Sequence, residues 1–168
     1  MSEQNDLINN AKVEKNDFIF DFKELYTHAT DWLVWKQFTV IESKYTEKVG
    51  AKGKSYEIHW YVKKRIDNYS EYVMEIVWNL SDINDVEATV DKKRLKLQKG
   101  DITFDLTAYI TTDKEDKWEN SPILKLFKGF FERYIYRTNY KRMEDELWRL
   151  SWEFHAEVKS FLELYRYA

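Results

Sequence analysis

Three observations on the 168-residue chain predict an α+β fold. Helical spacing of apolar residues appears early, in DFKELYTHATDWLVWK. It gives way between Gln37 and Asp113 to an alternation of period two, and returns after Ser121-Pro122. Helix, sheet, then two helices predict an antiparallel meander of about four long and two short strands. The N-terminal helix and two C-terminal helices would cover its apolar face.

Residues 1–16 are polar and aperiodic and are expected to form a flexible N-terminal tail, leaving 17–168 as a single α+β domain. In the first helix Phe22, Leu25, Tyr26, Ala29, Trp32 and Leu33 recur at three- and four-residue steps, so they share one face. Asp21 suits the N-cap, because its carboxylate can accept the free amide hydrogens of the first turn.

In the sheet region, Tyr56, Ile58, Trp60 and Val62 alternate with polar or larger amphipathic residues. After Asp67-Asn68, a turn dipeptide, the series Tyr72, Met74, Ile76, Trp78, Leu80 repeats the pattern, and Ile102, Phe104, Leu106, Ala108, Ile110 does so again. Shorter alternations at 86–90 and 94–97 flank Asp91-Lys92-Lys93 and suggest a smaller hairpin. Gly50, Gly53 and Gly100 are assigned to turns. Ser121-Pro122 then opens a helix of about 122–138, since proline at the first helical position loses no hydrogen bond. A last helix is expected over about 140–166.

Composition narrows the function classes. The chain has no cysteine, which excludes disulfides and thiolate chemistry, and no apolar run approaches the roughly 20 residues that span a bilayer. The first residues, MSEQNDLINNAKVEKNDF, lack the cationic start and apolar run of a signal peptide, so a cytoplasmic protein is expected. Net charge is −3, which argues against a generally basic nucleic-acid binder. Its distribution is uneven: residues 121–142 carry six cations and one acid, a net +5.

The most conspicuous stretch is FKGFFERYIYRTNYKR, residues 127–142. At 100° per residue, Phe127, Phe130, Phe131 and Tyr134 fall in one stripe with Ile123. That makes the aromatics a core face and the cations its solvated edges. Gly129 and Tyr136 project opposite the stripe, and Arg133 and Arg137 share one flank. With Lys141 and Arg142 at the helix junction they form a candidate contact surface.

In the last helix Met143, Leu147, Leu150, Phe154, Val158, Phe161 and Tyr165 make the buried stripe. Trp148 and Trp152 stand one turn apart, roughly 100–140° away from it. Either they cover the sheet edge or the first helix, or they are exposed anchors of the kind that dominate binding hot spots.

Catalytic signatures are missing. The three histidines (His28, His59, His155) show no metal-ligand spacing such as H-E-x-x-H. The serines lack a G-x-S-x-G turn, and no glycine pair builds a phosphate loop. Asp82, Asn84 and Asp85 resemble a calcium loop but lack its glycine and terminal glutamate, so an ordinary turn is expected. No cofactor and no enzymatic activity are predicted.

The order of features resembles an uncharacterised group of small archaeal proteins over roughly residues 20–165. The resemblance is carried by Trp32-Leu33-Val34-Trp35, the Tyr56-Glu57-Ile58 run, the Val86–Gly100 hairpin, Lys117-Trp118-Glu119 ahead of Ser121-Pro122, and Phe131-Glu132-Arg133-Tyr134. It implies an intracellular archaeal-type origin and a single α+β domain, and it transfers no site residue.

Two functional readings follow. In the first, the chain is a non-enzymatic binding or assembly module working through its C-terminal helices. Gly129, Arg133, Tyr136, Arg137, Lys141, Arg142, Trp148 and Trp152 are the candidate contacts, for a protein partner, a second copy or a ribonucleoprotein. In the second it binds a small apolar ligand between sheet and C-terminal helix, in a cavity lined by Trp60, Trp78, Phe104 and Phe154.

Overall fold

The computed structural model describes residues 3–112 and 137–166. Five strands, β1 (Glu3–Phe20), β2 (Thr39–Val49), β3 (Lys54–Arg65), β4 (Ser70–Val90) and β5 (Lys93–Thr112), form one antiparallel sheet. Two helices, α1 (Phe22–Trp35) and α2 (Arg137–Glu163), accompany them. The sheet order is β1-β5-β4-β3-β2: β2 to β5 make the meander, and β1 crosses over to pair with β5. The α+β class and the antiparallel meander thus stand, and the elements differ in three respects.

First, the segment expected to be a tail is a strand. Glu3–Phe20 pairs with β5 along its length and buries Ile8, Ala11, Val13 and Phe20. Its alternation is interrupted by bulges, where three-residue steps on β1 oppose two on β5, between Ile8 and Ala11 and between Lys15 and Phe18. Asn10 and Asp17 take positive φ there (both 50°), which Asn and Asp tolerate better than most residues. Their freed backbone N–H groups donate to Thr107 Oγ1 and Asp101 Oδ1.

Second, the two short strands are the outer halves of β4 and β5, which run 21 and 20 residues. An extra residue between Ser81 and Asn84, with Asp82 at φ 54°, bends β4 without ending it. The acidic Asp82–Asp85 stretch is therefore a bulge within a strand, not a turn. Gly100 lies opposite it inside β5 rather than in a turn. A Cβ there would meet Ser81 O at 2.7 Å and Ile83 Cδ1 at 2.6 Å, so the bulge needs the missing side chain. Asp91-Lys92, both at positive φ, close a two-residue hairpin of the primed kind that matches strand twist.

Third, two helices are present among the described residues; of the helix expected over 122–138, residues 122–136 lie outside them, and 137–138 belong to the last helix. In α1, Asp21 caps as expected, accepting from Glu24 N at 2.9 Å, and Leu25, Ala29 and Leu33 are buried. The helix ends in a Schellman pattern, Phe38 N to Leu33 O and Gln37 N to Val34 O, with Gln37 at φ 68°. The last helix spans Arg137–Glu163 and buries Met143, Leu147, Leu150, Phe154 and Val158, the expected stripe.

α2 lies over β1 and β5 and against α1. Polar ties fix it on both flanks. On one side Asn5 donates to Glu144 at 2.8 Å and Lys15 pairs with Glu163 at 2.7 Å. On the other, His28 pairs with Glu157 at 2.8 Å and Tyr165 donates to Glu24 at 2.7 Å. The free edges are blunted against stray pairing: β1 by its bulges, and β2 by a shift between Glu42 and Lys44 and by the charges of Glu42, Lys44, Glu47 and Lys48.

Candidate functional site: the outward face of the C-terminal helix

The orientation of α2 follows from its sequence. The apolar stripe must face the sheet to bury Leu147, Phe154 and Val158, and this rotates Trp148 and Trp152 outward. Trp148 is 54% and Trp152 38% exposed, and their rings meet edge to face at 6.2 Å. Of the two readings open for this pair, exposure is the one found. Trp152 rests on His155 at 5.1 Å, and His155 rests in turn on Phe104 at 5.9 Å. The exposed pair is therefore seated on the core through one imidazole. Burial lowers the pKa of His155, so a neutral ring supports Trp152 at pH 7.

Around this pair the charges are mostly matched. Lys141 faces Asp145 one turn on, at 3.7 Å. Arg149 pairs with Glu153, which Lys36 at the end of α1 also reaches at 3.5 Å. Burial alone would raise the pKa of Glu153, and these two cations outweigh it, holding the carboxyl below its ordinary range. Lys36 additionally lies over the Trp32 and Trp35 rings. Arg142 is exposed, and so is Lys159, about two turns beyond Trp152 on the same face. Residues 137–163 carry five cations and six acids, a net −1, so α2 is not a basic stripe.

The other predicted contacts divide. Gly129, Arg133 and Tyr136 lie outside the described residues, and Arg137 opens α2. The basic junction thus reduces, within the described residues, to Lys141 with its carboxylate and to exposed Arg142.

Trp60, Trp78, Phe104 and Phe154 are brought together, but as filling. Each is at most 1% exposed, and the rings touch in series: Trp60 to Trp78 at 5.4 Å, Trp78 to Phe104 at 4.8 Å, Phe104 to Phe154 at 5.8 Å. They occupy the space between sheet and helix that a ligand would need. The Trp78 indole N–H finds no acceptor among the described residues. That costs about 1–3 kcal/mol, less than the roughly 4–6 kcal/mol gained by burying an indole of ~150–250 Å².

A groove of about 340 Å³ occurs elsewhere, between the start of α1, the β2–β3 turn and the β4 bulge. Phe22, Val49, Tyr56 and Ile83 form its apolar part and Lys23, Lys54, Asp85 and Gln98 its polar part. Sequence reasoning missed it because it is assembled by the bulge: Gly53, at φ 145°, lets the turn approach Ile83 and Asn84. Its polar groups are largely engaged, with Gln98 accepting from Phe22 N at 3.0 Å and Lys54 paired with Glu47 at 3.1 Å.

Two of the histidines are paired with carboxylates, His28 with Glu157 and His59 with Glu57, each at 2.8 Å. The Glu57 carboxyl is held low by Lys44 first and His59 second. No described helix is long and apolar enough to cross a membrane. Comparison with protein-family models, with curated proteins and with solved structures finds no match for this chain.

Proposed function

We propose that this chain is a non-enzymatic binding or assembly module, that its contact surface is the outward face of α2, and that its partner is a protein. One observation carries the reading: Trp148 and Trp152 stand side by side, exposed, on a helix whose apolar stripe is buried. Tryptophan is the residue most enriched at binding hot spots, and such a pair on a rigid helix loses little entropy when covered. A protein fits better than a nucleic acid, because phosphate binding needs unneutralised cations. Here Lys141 faces Asp145 and Arg149 faces Glu153, which leaves, among the described residues, Arg142 and Lys159 as the cations of α2 that pair with no acid, too few for a phosphate track. Among the described residues a small-ligand function would fall to the groove near Phe22 and Lys54, since the four core rings fill the space first assigned to it.

The test is affinity capture from the source cells, comparing the wild type with a Trp148→Ala/Trp152→Ala variant, each with and without nuclease. A protein retained by the wild type, indifferent to nuclease and lost with the variant is the expected result. Equal capture by both would remove α2 from the contact, and capture abolished by nuclease would replace the protein partner with an RNA.

A further inference from the structure

The outward face of α2 is more than two tryptophans. Taking Trp152 as the origin and 100° per residue, Lys141, Asp145, Trp148, Ala156, Lys159 and Glu163 all fall within about 40° of it. All of these are exposed except Glu163, which is partly so. The steps between them are four, three, four, then four, three, four, a pattern symmetric about Trp152. Two spans of eleven residues keep such a stripe on one face of a nearly straight helix, since 11 residues make three turns at ~3.67 per turn.

The charge order along the stripe is cation, acid, Trp, Trp, Ala, cation, acid. Reversed and laid against itself about Trp152, it becomes complementary. Asp145 meets Lys159 of the second copy, Lys141 meets Glu163, Trp148 meets the small Ala156, and Trp152 meets its own counterpart on the axis. No like charges oppose each other within the stripe. A large ring facing an alanine is also the alternation that lets two helices approach closely. We infer that the partner for this face is a second copy of the chain, docked as an antiparallel α2–α2 pair with its two-fold axis at Trp152.

This inference rests on the proposed binding role of the α2 face and specifies the occupant. The inner pairs carry it, because Lys159 is exposed and, among the described residues, Asp145 is held only by the exposed contact with Lys141. Glu163 already holds two cations, Lys15 at 2.7 Å and Arg166 at 3.7 Å, so the outer contact with Lys141 of the second copy adds little. The surface is small. The two indoles leave roughly 200 Å² per protomer to be covered, well under the roughly 800 Å² per partner of a standard interface. The dimer is therefore a weak one, and weaker still in high salt.

Sedimentation of the full chain from about 1 to 300 µM tests this directly. The wild type is expected to show a reversible monomer–dimer equilibrium. Lys159→Asp and Asp145→Lys, both at exposed positions, should each raise Kd by about fivefold or more, from two like-charge contacts per dimer. Combining them restores opposite charges across the axis and should return Kd to within about twofold of the wild type. Cross-linking sets the orientation, and the cysteine-free sequence makes single-cysteine variants unambiguous. Trp152→Cys should form the intermolecular disulfide under mild oxidation, whereas Lys141→Cys should not, its two thiols lying ~30 Å apart along the axis. A chain monomeric throughout, a combined variant no better than the single ones, or equal cross-linking of both cysteine variants would overturn the pairing. A monomer that still captures another protein through Trp148 and Trp152 would overturn it while leaving the binding role intact.

Discussion

Two tryptophan pairs in this chain have nearly the same internal geometry and opposite surroundings. Trp60 and Trp78 meet at 5.4 Å with their planes at 69°; Trp148 and Trp152 meet at 6.2 Å and 62°. The first pair is 1% exposed at each ring, the second 54% and 38%. Ring contact alone therefore says nothing about role. The first pair comes from adjacent strands on the sheet's covered face, where Trp60 pairs with Ile76 and Trp78 with Ile58, so burial is imposed by strand register. The second comes from one helix turn, where i and i+4 meet whether or not anything covers them. Strand neighbours are bound into a core; helix neighbours are free to wait for one.

The largest test of this contrast is truncation of the buried pair. Trp78→Ala removes an indole that touches Trp60 and Phe104 and leaves a cavity in the centre of the core. A loss of about 3–5 kcal/mol in unfolding free energy is expected, read from the urea midpoint at unchanged slope. A loss below about 1 kcal/mol would mean that the rings do not fill the core as described.

The same contrast explains what could be read in the sequence. The strands from Lys54 onward were legible because Ile58, Trp60 and Val62, with Tyr72 to Leu80 on β4 and Ile102 to Ile110 on β5, alternate without interruption up to the β4 bulge. β1 was not, because extra residues at Asn10 and Asp17 move Ile8, Ala11, Val13 and Phe18 out of a period of two. A bulge costs a strand its sequence signature while its hydrogen bonds are recovered by Thr107 and Asp101. For the site, helical phase alone put Trp148 and Trp152 off the buried stripe, and the i to i+4 contact of Lys141 with Asp145 follows from spacing. That Trp60, Trp78 and Phe104 share the covered face of the sheet, with Phe154 on the helix stripe that meets it, was equally legible. Whether they line a cavity or fill it depends on the distance between sheet and helix, which no periodicity encodes.

A smaller effect sharpens the description of the buried pair. Tyr26 stands edge-on over Trp60 at 4.9 Å and 86°, and its hydroxyl donates to Glu42. Burial, then the bond to Glu42, push this phenol from its ordinary 10.0 up to about 12. Because the folded value lies above the unfolded one, the contribution is complete below about pH 10 and is lost as pH rises through about 12. Tyr109, buried and bonded to Glu75, and Tyr165, buried and bonded to Glu24, are raised in the same direction. Stability should decline over that alkaline window, the Tyr26 share being on the order of 1 kcal/mol once solvent screening is allowed for. Tyr26→Phe keeps the ring over Trp60 and removes the proton, so it should cost about 0.5–1.5 kcal/mol at neutral pH. Its decline above pH 10 should then be shallower, and parallel alkaline curves for the two proteins would count against the assignment.

The smallest effect on stability belongs to the exposed pair, and it is the one that separates the two pairs most cleanly. Trp148→Ala should change the unfolding free energy by no more than about 0.5 kcal/mol, the usual range for an exposed position outside special contacts. Alanine has the higher helix propensity of the two, which offsets the ring contact given up with Trp152. Trp152→Ala should cost slightly more, because its ring also covers His155, whose pKa burial holds down. Uncovering that imidazole should let its pKa rise toward the ordinary 6.5, a change that proton NMR titration of His155 would read directly. If either substitution destabilised the fold by 2 kcal/mol or more, the pair would be a satellite of the core, and its exposure would no longer argue for a partner. If stability holds while association is lost, the same two rings are free in the monomer and committed in the complex.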